Sequence, residues 1–210
     1  MNDTQALEIM SRLSSFFPSV SSEVSSINNY TFLVAVLLSA QTKDKSVNSI
    51  TNKLFKVAIT PKQMLELGLD AIKEYIKTIG LYNNKAKNII ALSEILVETY
   101  NSEVPLDRDL LEKLPGIGRK SANVILNKLC NAPYIAVDTH VSRVSKRLGL
   151  TNNTNVLKIE QDLYDVIPSE YYTTASNLLV MHGRYTCTPK CPKCNNCILK
   201  DICKFKNNNK

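Results

Sequence analysis

Residues 114–138 read LPGIGRKSANVILNKLCNAPYIAVD, which joins a glycine-rich turn, a helix and an extended return segment. Proline and glycine are poorly tolerated inside a helix, so PGIG predicts a tight turn between a helix that ends near Lys113 and one that begins near Arg119. Gly116 and Gly118 permit positive φ and the close approach of another backbone. The N–H groups of the turn lie at the positive end of the following helix, which makes them a good seat for a phosphate group.

A turn of this kind between two helices is typical of a helix-hairpin-helix, which holds the DNA backbone without reading the bases. Gly116, Gly118 and Arg119 are therefore candidate DNA contacts. Short glycine patterns are weak evidence by themselves, so the same residues also fit a plain turn between two packed helices. The residues after the turn favour the first interpretation.

Lys120 lies in the first turn of the second helix, where the helix dipole disfavours a positive charge and so favours the neutral, nucleophilic amine. The helix to Cys130 advances roughly 15 Å at about 1.5 Å per residue. The extended segment after Pro133 can cover about the same distance back, so we expect Asp138 to return close to Lys120. The alternatives are a solvated or phosphate-binding lysine and an aspartate that only caps the next helix, although capping and catalysis are compatible.

A second constellation is the loop CTPKCPKCNNCILKDIC, in which Cys187, Cys194, Cys197 and Cys203 have the spacing C-x6-C-x2-C-x5-C. Four thiolates in one short loop suit a [4Fe-4S] cluster. Structural zinc more often uses two C-x2-C pairs that are separated by a longer stretch. Cys191 could replace Cys187 in a rival set, so the spacing alone leaves the fourth ligand open. The sixth cysteine lies in the apolar helix before Asn131 and is expected to be ordinary core.

Composition indicates a globular chain. The 210 residues are 44% hydrophobic, which is ample for a core. The longest apolar run, FLVAVLLSA, is too short to span a bilayer. The N-terminus is polar and acidic, unlike a signal peptide. We therefore expect a cytoplasmic protein, in which cysteines are metal ligands or free thiols rather than disulfides.

Positive charge is concentrated in two segments. Residues 113–147 contain seven Lys or Arg against one acid, and residues 184–206 contain six against one. Together they hold a charge of +11, whereas the whole chain carries +7 and the remainder −4. Such clustering around the turn and the cysteine loop is expected of a surface that binds a polyanion.

The chain is predicted to be all-α. Apolar residues recur at helical spacing in residues 7–17, 47–54, 86–96 and 156–166, and strand alternation is not convincing anywhere. FLVAVLLSA favours a buried helix over a buried strand. The predicted helix starts are at Asp44, Thr60 before Pro61, Asp107 and Ser169, and the predicted stops are at Gly68, Gly80 and Gly149.

Several stretches together resemble the helix-hairpin-helix DNA glycosylases, and among them the bacterial endonuclease III family. The resemblance rests on LPGIGRKSANVIL with IAVDTHVSRVSKRLG, on LLSAQTKD (37–44), on YIKTIGLYNNKA (75–86) and on HGRYTC (182–187). It runs from the region of Leu7 through Cys203. It implies a six-helix domain at residues 22–132 that carries the hairpin, and a second domain at 1–21 plus 133–210 that carries the cluster loop at 187–203, with the substrate cleft between them.

The resemblance also implies a function, which is removal of oxidised pyrimidines from duplex DNA followed by AP lyase cleavage on the 3′ side. Lys120 would attack C1′ of the flipped nucleotide, and Asp138 would stabilise the developing positive sugar. The family pattern selects Cys187 over Cys191 as the fourth cluster ligand. We expect a monomer that acts on damaged or abasic double-stranded DNA at the bacterial nucleoid.

The resemblance assigns further DNA contacts. Gln41 would enter the space that the flipped base leaves, and Leu81 would wedge the opposite strand, although both also fit an exposed helix-end amide and a turn leucine. His140 is either a DNA contact, a support for one, or plain packing. The candidate DNA contacts outside the hairpin are Gln41, Leu81, His140, Arg143, Lys190 and Lys193.

Three other functions are compatible with parts of this pattern. Adenine-mismatch glycosylases share the hairpin and the cluster, but they usually lack a lysine at the position of Lys120 and have a further C-terminal domain. Lysine-dependent glycosylases for oxidised purines generally lack the cluster. A non-catalytic DNA-binding module would leave Lys120 and Asp138 unexplained.

Overall fold

The computed structural model describes residues 3–18 and 24–207. Within these ranges every regular element is a helix and no strand is present, as the sequence predicts. None of the described helices is both long and apolar enough to cross a membrane. The chain divides into two compact units, a central unit (residues 24–130 as described) and a terminal unit (residues 3–18 with 131–207).

The central unit contains seven α-helices among its described residues, one more than the six expected. The extra helix arises because Gly68, with φ of +81°, ends one short helix and precedes the next. The helices are α2 (Asn29–Ser39), α3 (Asp44–Leu54), α4 (Pro61–Leu67), α5 (Leu69–Ile76), α6 (Tyr82–Thr99), α7 (Arg108–Glu112) and α8 (Arg119–Cys130). Helix α2 is buried from Tyr30 to Leu38 and packs against α3, α6 and α8, so FLVAVLLSA is the buried helix that its composition favours.

Most predicted helix boundaries of the central unit are confirmed. Thr60 accepts a hydrogen bond from Gln63 N at the start of α4, and Asp107 accepts one from Leu110 N at the start of α7. Asp44 is the first residue of α3. Gly80 is different, because α5 already ends at Ile76 and the glycine lies in the link to α6.

The terminal unit brings the N-terminal helix together with the C-terminal ones. Its elements are α1 (Asp3–Phe16), α9 (Thr139–Leu148), α10 (Val156–Val166), α11 (Tyr172–Tyr185), α12 (Lys204–Asn207) and two 3-10 turns at Ser169–Tyr171 and Cys194–Asn196. Ser169 therefore begins a 3-10 turn rather than an α-helix. Val141, Val144 and Leu148 form one buried face of α9 and pack with Leu179 of α11 and Leu13 of α1. Arg12 also pairs with Asp201 at 2.7 Å, which ties α1 to the residues after the cysteine loop.

Replacing Gly149 by alanine should destabilise the protein. Gly149 ends α9 with φ of +80°, and a Cβ there would meet the side chain of Lys204. The left-handed backbone alone costs an alanine about 1–2 kcal/mol. For a chain of this size, about 1 kcal/mol lowers Tm by roughly 2–4 °C in a thermal melt.

Gly80→Ala is the matched control, because Gly80 has no positive φ and a Cβ there would have nothing within 4 Å. It should change the free energy of unfolding by no more than about 0.5 kcal/mol. Equal losses in the two variants would contradict this account of Gly149.

Candidate functional site

The predicted turn connects α7 to α8. Leu114 and Ile117 are buried, and Ile117 N donates to Leu114 O at 3.1 Å, so two apolar side chains fasten the turn to the core. Gly116 and Gly118 are exposed between and after them. This alternation leaves the backbone of the turn accessible at the N-terminus of α8, where a phosphate would be favoured.

Gly116 is required by two independent features of the structure. Its φ is +81°, and an added Cβ would lie 2.7 Å from Asn88 Nδ2 of α6 and 3.0 Å from Leu37 Cδ1 of α2. The hairpin is therefore packed against α6 and α2 at a place where no side chain fits. A Cβ on Gly118 would meet nothing within 4 Å, so the reason for this glycine is not packing within the chain.

Lys120 is the second residue of α8 and its side chain is exposed. The amine is accessible to a ligand that sits on the hairpin. Arg119 beside it lies 3.9 Å from Glu112 at the end of α7, a distance at which the attraction is weak. The hairpin, Arg119 and Lys120 thus lie together at one end of α8.

Asp138 is the N-cap of α9, as the sequence predicts, and its Oδ1 accepts a hydrogen bond from Val141 N at 2.8 Å. The residues before it are buried, and Ala136 N donates to Ser176 Oγ at 2.7 Å. These contacts hold a half-buried carboxylate in a defined place. Asp138 belongs to the terminal unit and Lys120 to the central unit, and the approach of one to the other stays a prediction.

Gln41 and Leu81 share an unusual backbone in the central unit. Their φ angles are 54° and 61°, in the left-handed region that side-chain-bearing residues rarely adopt. Both side chains are exposed, Leu81 by 57%. Such strain costs on the order of 1–3 kcal/mol per residue and persists only where the surroundings impose it, most often at functional sites. The sequence did not predict these conformations, because neither residue is glycine or asparagine.

Lys85 is a site residue that the sequence analysis missed. It lies on α6 and is only 5% exposed, and burial lowers the pKa of its ammonium. Its Nζ donates to Leu38 O, Ala40 O and Thr42 Oγ1 at 2.7–2.9 Å. A signal was available, since Lys85 stands one turn before Ile89 on the buried face of the helix.

His140 and Arg143 lie on α9 where it packs closely on α11. Arg143 Nη2 donates to Gly183 O at 3.0 Å and lies 3.2 Å from His140 Nδ1, while its Nε donates to Cys187 O at 3.2 Å. A Cβ on Gly183 would lie 3.0 Å from Val144, which explains the glycine in HGRYTC. Arg143 therefore fixes the start of the cysteine loop, whatever else it binds.

The cysteines differ in environment. Cys187 is 9% exposed, and Cys194, Cys197 and Cys203 are half-buried. Burial raises the pKa of the Cys197 thiol, and negative charge on Cys203, Cys187 and Cys194 raises it further, so these four sulfurs are near neighbours. Cys191 is exposed and takes no part in this interaction.

Cys130 is exposed at the last position of α8, so the expectation that it belongs to the core was wrong. Cys130 stands one turn after buried Leu126, and its Sγ donates to Leu126 O at 3.2 Å, but burial does not extend to the final residue of the helix.

Hydrogen-bond donors lie beside two of the four sulfurs, and Cys203 Sγ donates to Arg147 O at 3.5 Å. Arg147 Nη1 lies 3.4 Å from Cys187 Sγ and also donates to Thr188 O, while Leu199 N lies 3.4 Å from Cys197 Sγ. The hydrogen bond from Leu199 N lowers the pKa of the Cys197 thiol, but burial outweighs it and the net shift is upward. The described residues contain no group of His, Cys, Asp or Glu arranged to hold a single metal ion. Four cysteine sulfurs on one loop are nevertheless the kind of donor set that an iron-sulfur cluster uses.

His182 is a further neighbour of the sulfurs that sequence reasoning did not place. It is buried, and its Nε2 lies 3.8 Å from Cys197 Sγ. Burial lowers the pKa of its imidazole to about 4, so the ring stays neutral near pH 7. Lys190 and Lys193 are exposed on the loop, where they are accessible to a polyanion.

A family model and individual relatives match this chain over most of its length. Residues 34–169 match the model of the HhH-GPD superfamily, base excision DNA repair proteins. The chain is 49% identical to endonuclease III of Escherichia coli (strain K12) and 47% identical to that of Haemophilus influenzae (strain ATCC 51907 / DSM 11121 / KW20 / Rd), each over 98% of both chains.

Solved structures give the same result. A trapped endonuclease III–DNA covalent intermediate is 40% identical, with a TM-score of 0.94 over 100% of this chain and 99% of that one. A non-covalent endonuclease III–DNA complex also has a TM-score of 0.94 at 40% identity, over 100% and 98%. A thermostable thymine-DNA glycosylase, 22% identical with a TM-score of 0.87 over 98% of each chain, shares the fold.

The two hairpin glycines should respond differently to alanine. Gly116→Ala should lower the free energy of unfolding by about 1–3 kcal/mol, because it adds left-handed strain and a clash with Asn88. Gly118→Ala is the matched control and should change it by no more than about 0.5 kcal/mol. Denaturant melts of both variants measure this. If Gly118→Ala lost as much free energy of unfolding as Gly116→Ala, a methyl group at Gly118 would not lie in open space.

Proposed function

This chain belongs to the HhH-GPD superfamily of base excision DNA repair proteins, and we infer that it is a DNA glycosylase and AP lyase that removes oxidised pyrimidines from double-stranded DNA. The observation that carries the inference is the end-to-end match to endonuclease III, at 49% identity over 98% of both chains. The similarity to endonuclease III in complex with DNA extends it to the partner. We further propose that the chain acts as a monomer at the bacterial nucleoid, and that the two compact units correspond to domains at 22–132 and at 1–21 plus 133–210.

Lys120 is proposed as the nucleophile. Its exposed amine stands at the N-terminus of α8 beside the turn that would hold the phosphate. In the proposed reaction the amine forms a bond to C1′, and the C1′–N bond to the base breaks with its electron pair leaving on the base, which is protonated. The amine then loses a proton and the C1′–O4′ bond of the sugar breaks, with O4′ taking the electron pair and a proton. This leaves a Schiff base at C1′, which acidifies the C2′ proton. Loss of that proton breaks the 3′ C–O bond, and water then releases the lysine.

Asp138 is proposed to assist this chemistry from its N-cap position. A negative charge near C1′ would stabilise the positive sugar as the base leaves, and the carboxylate could accept protons. The hydrogen bond from Val141 N supports the role, because it holds the carboxylate in one orientation.

The remaining candidates are proposed to hold and open the duplex. Gly116, Gly118 and Arg119 would bind the backbone, and Lys190 and Lys193 would meet further phosphates. Gln41 would fill the space of the flipped base and Leu81 would separate the opposite strand. Their exposure on left-handed backbone supports this proposal. His140 and Arg143 are proposed as neighbouring contacts on α9.

We propose that Cys187, Cys194, Cys197 and Cys203 hold a [4Fe-4S] cluster. Their proximity, their partial burial and the donors at Cys187 and Cys197 support this ligand set over one that includes Cys191. When bound, the cluster would have four cysteine ligands and would brace the loop that carries Lys190 and Lys193. Base removal itself is assigned to Lys120 and Asp138.

Lys120→Ala should abolish the covalent adduct that borohydride traps on a duplex with one thymine glycol, because the imine requires this amine. Asp138→Asn should keep the cap, since asparagine caps as well as aspartate, and should slow base release by about 10²- to 10⁴-fold through loss of the charge. Gel analysis of trapped adducts and single-turnover base release measure the two effects.

Lys128→Ala is the control for the adduct, because Lys128 is exposed on the same helix but lies in its last turn. This variant should form as much borohydride-trapped adduct as the wild type. An undiminished adduct in Lys120→Ala would assign the chemistry to another amine, and a wild type that releases no base would refute the proposed substrate class.

Cys187→Ser and Cys191→Ser should separate the two possible ligand sets. Cys187→Ser should lose iron and sulfide and unfold at a lower temperature, because the loop loses its brace. Cys191→Ser should keep about four irons per chain and the wild-type visible absorbance. Elemental analysis would also detect zinc, and a zinc-loaded wild type or iron loss in Cys191→Ser alone would contradict the assignment.

A further inference from the structure

The side chain of Lys85 forms hydrogen bonds to residues on both sides of Gln41. Its three protons have three acceptors, which are Leu38 O at 2.9 Å, Ala40 O at 2.7 Å and Thr42 Oγ1 at 2.8 Å. Ala40 and Thr42 are the immediate neighbours of Gln41. The ammonium therefore holds the backbone before and after the residue whose φ is 54°.

The ammonium lies beside the carbonyl groups at the C-terminal end of α2. Helix α2 ends at Ser39, and the last carbonyls of a helix lack partners in the helix and carry partial negative charge. Lys85 satisfies Leu38 O and Ala40 O there. Thr42 N also donates to Ser39 O at 3.0 Å, so the chain folds back tightly around the ammonium. The turn exposes Gln41 while its two neighbours are held.

Lys85 is also connected to Leu81. Lys85 N donates to Leu81 O at 3.0 Å in the first turn of α6, and Leu81 is the left-handed N-cap residue of that helix. One residue thus bonds through its side chain to the turn around Gln41 and through its backbone to Leu81. All of these contacts lie within the central unit.

A purely space-filling role does not account for a cation at this position. An apolar side chain would occupy the buried face of α6 without the cost of removing a charge from water. What an apolar side chain could not do is donate to three oxygens that bracket Gln41. The polar contacts, rather than the volume, distinguish Lys85 from its neighbours Ala86 and Ile89 on the same face.

We propose that Lys85 is a positioning residue for base flipping, which fixes the turn that presents Gln41 and couples it to the start of the helix that presents Leu81. This inference rests on the proposed function of Gln41 and Leu81 in the opened duplex. Lys85 itself is buried and acts through the two exposed residues rather than by contact with DNA.

The test is a double-mutant cycle between Lys85→Met and Gln41→Ala, read out as single-turnover base release from a thymine glycol duplex. Each single variant should slow release on the order of tenfold, since small errors of position are costly in such steps. The double variant should be slower than Gln41→Ala by no more than about twofold, because the Lys85 side chain has nothing further to position once the amide is gone and methionine keeps the backbone bond to Leu81 O. Affinity for undamaged duplex should stay within about twofold of wild type, because the hairpin is intact.

Lys53→Met is the charge-matched control, since Lys53 is exposed on α3 and removes the same single charge. It should release base at the wild-type rate. Multiplicative losses in the double variant, or normal release in Lys85→Met, would overturn the inference. A wild type that releases no base refutes the proposed substrate class, and a normal Gln41→Ala refutes the role of Gln41; either result also overturns the positioning role.

A second pair of variants covers the case in which Lys85→Met does not fold. Thr42→Val removes one acceptor of the ammonium, whereas Thr42→Ser keeps the hydroxyl. Thr42→Val should slow base release by a few-fold, without a further loss in the Gln41→Ala background, and Thr42→Ser should restore the wild-type rate. Equal rates in Thr42→Val and Thr42→Ser would overturn the positioning role.

Discussion

The backbone groups at the ends of helices need partners, and this requirement determines where the candidate functional residues lie. An α-helix leaves four N–H groups and four carbonyls unpaired at its termini. In this protein Asp138 satisfies the start of α9, Lys85 the end of α2, and the hairpin leaves the start of α8 accessible to a phosphate. Asp138 is therefore both a helix cap and a proposed catalytic residue, and Lys85 satisfies the helix end beside Gln41.

This arrangement has a consequence for how mutations should be interpreted. A capping side chain contributes about 1 kcal/mol to stability, so we expect removal of Asp138 to affect folding as well as the chemistry proposed for it. Asparagine separates the two, because it keeps the cap and loses the charge. Lys85 has no substitute of this kind, since no other side chain carries three donors on a single nitrogen. Substitutions of Thr42, its hydrogen-bond partner, can separate an effect on folding from an effect on base release instead.

The cysteine loop depends on contacts from a distant part of the sequence. Arg143 and Arg147 of α9 donate to the carbonyls of Cys187 and Thr188, and Arg147 also reaches Cys187 Sγ. Two arginines on one helix thus hold the beginning of the loop through hydrogen bonds that involve no cluster. Two of the seven Lys and Arg residues in 113–147 therefore have a structural role in the terminal unit.

The sequence was sufficient for most features that depend on local chemistry, although the helix stop predicted at Gly80 and the α-helix start predicted at Ser169 were wrong. Helical periodicity, the caps at Thr60, Asp107 and Asp138, the hairpin turn and the cysteine spacing involve residues within a few positions of one another, where backbone preferences act directly. Contacts between residues far apart in the sequence could not be predicted in this way. The left-handed conformations of Gln41 and Leu81, the burial of Lys85, the exposure of Cys130 and the proximity of Cys187 to the other three thiols arise only when separate helices pack. Tertiary packing decides them because it sets which polar atoms lose water, and only then does a side chain from another helix become the available partner.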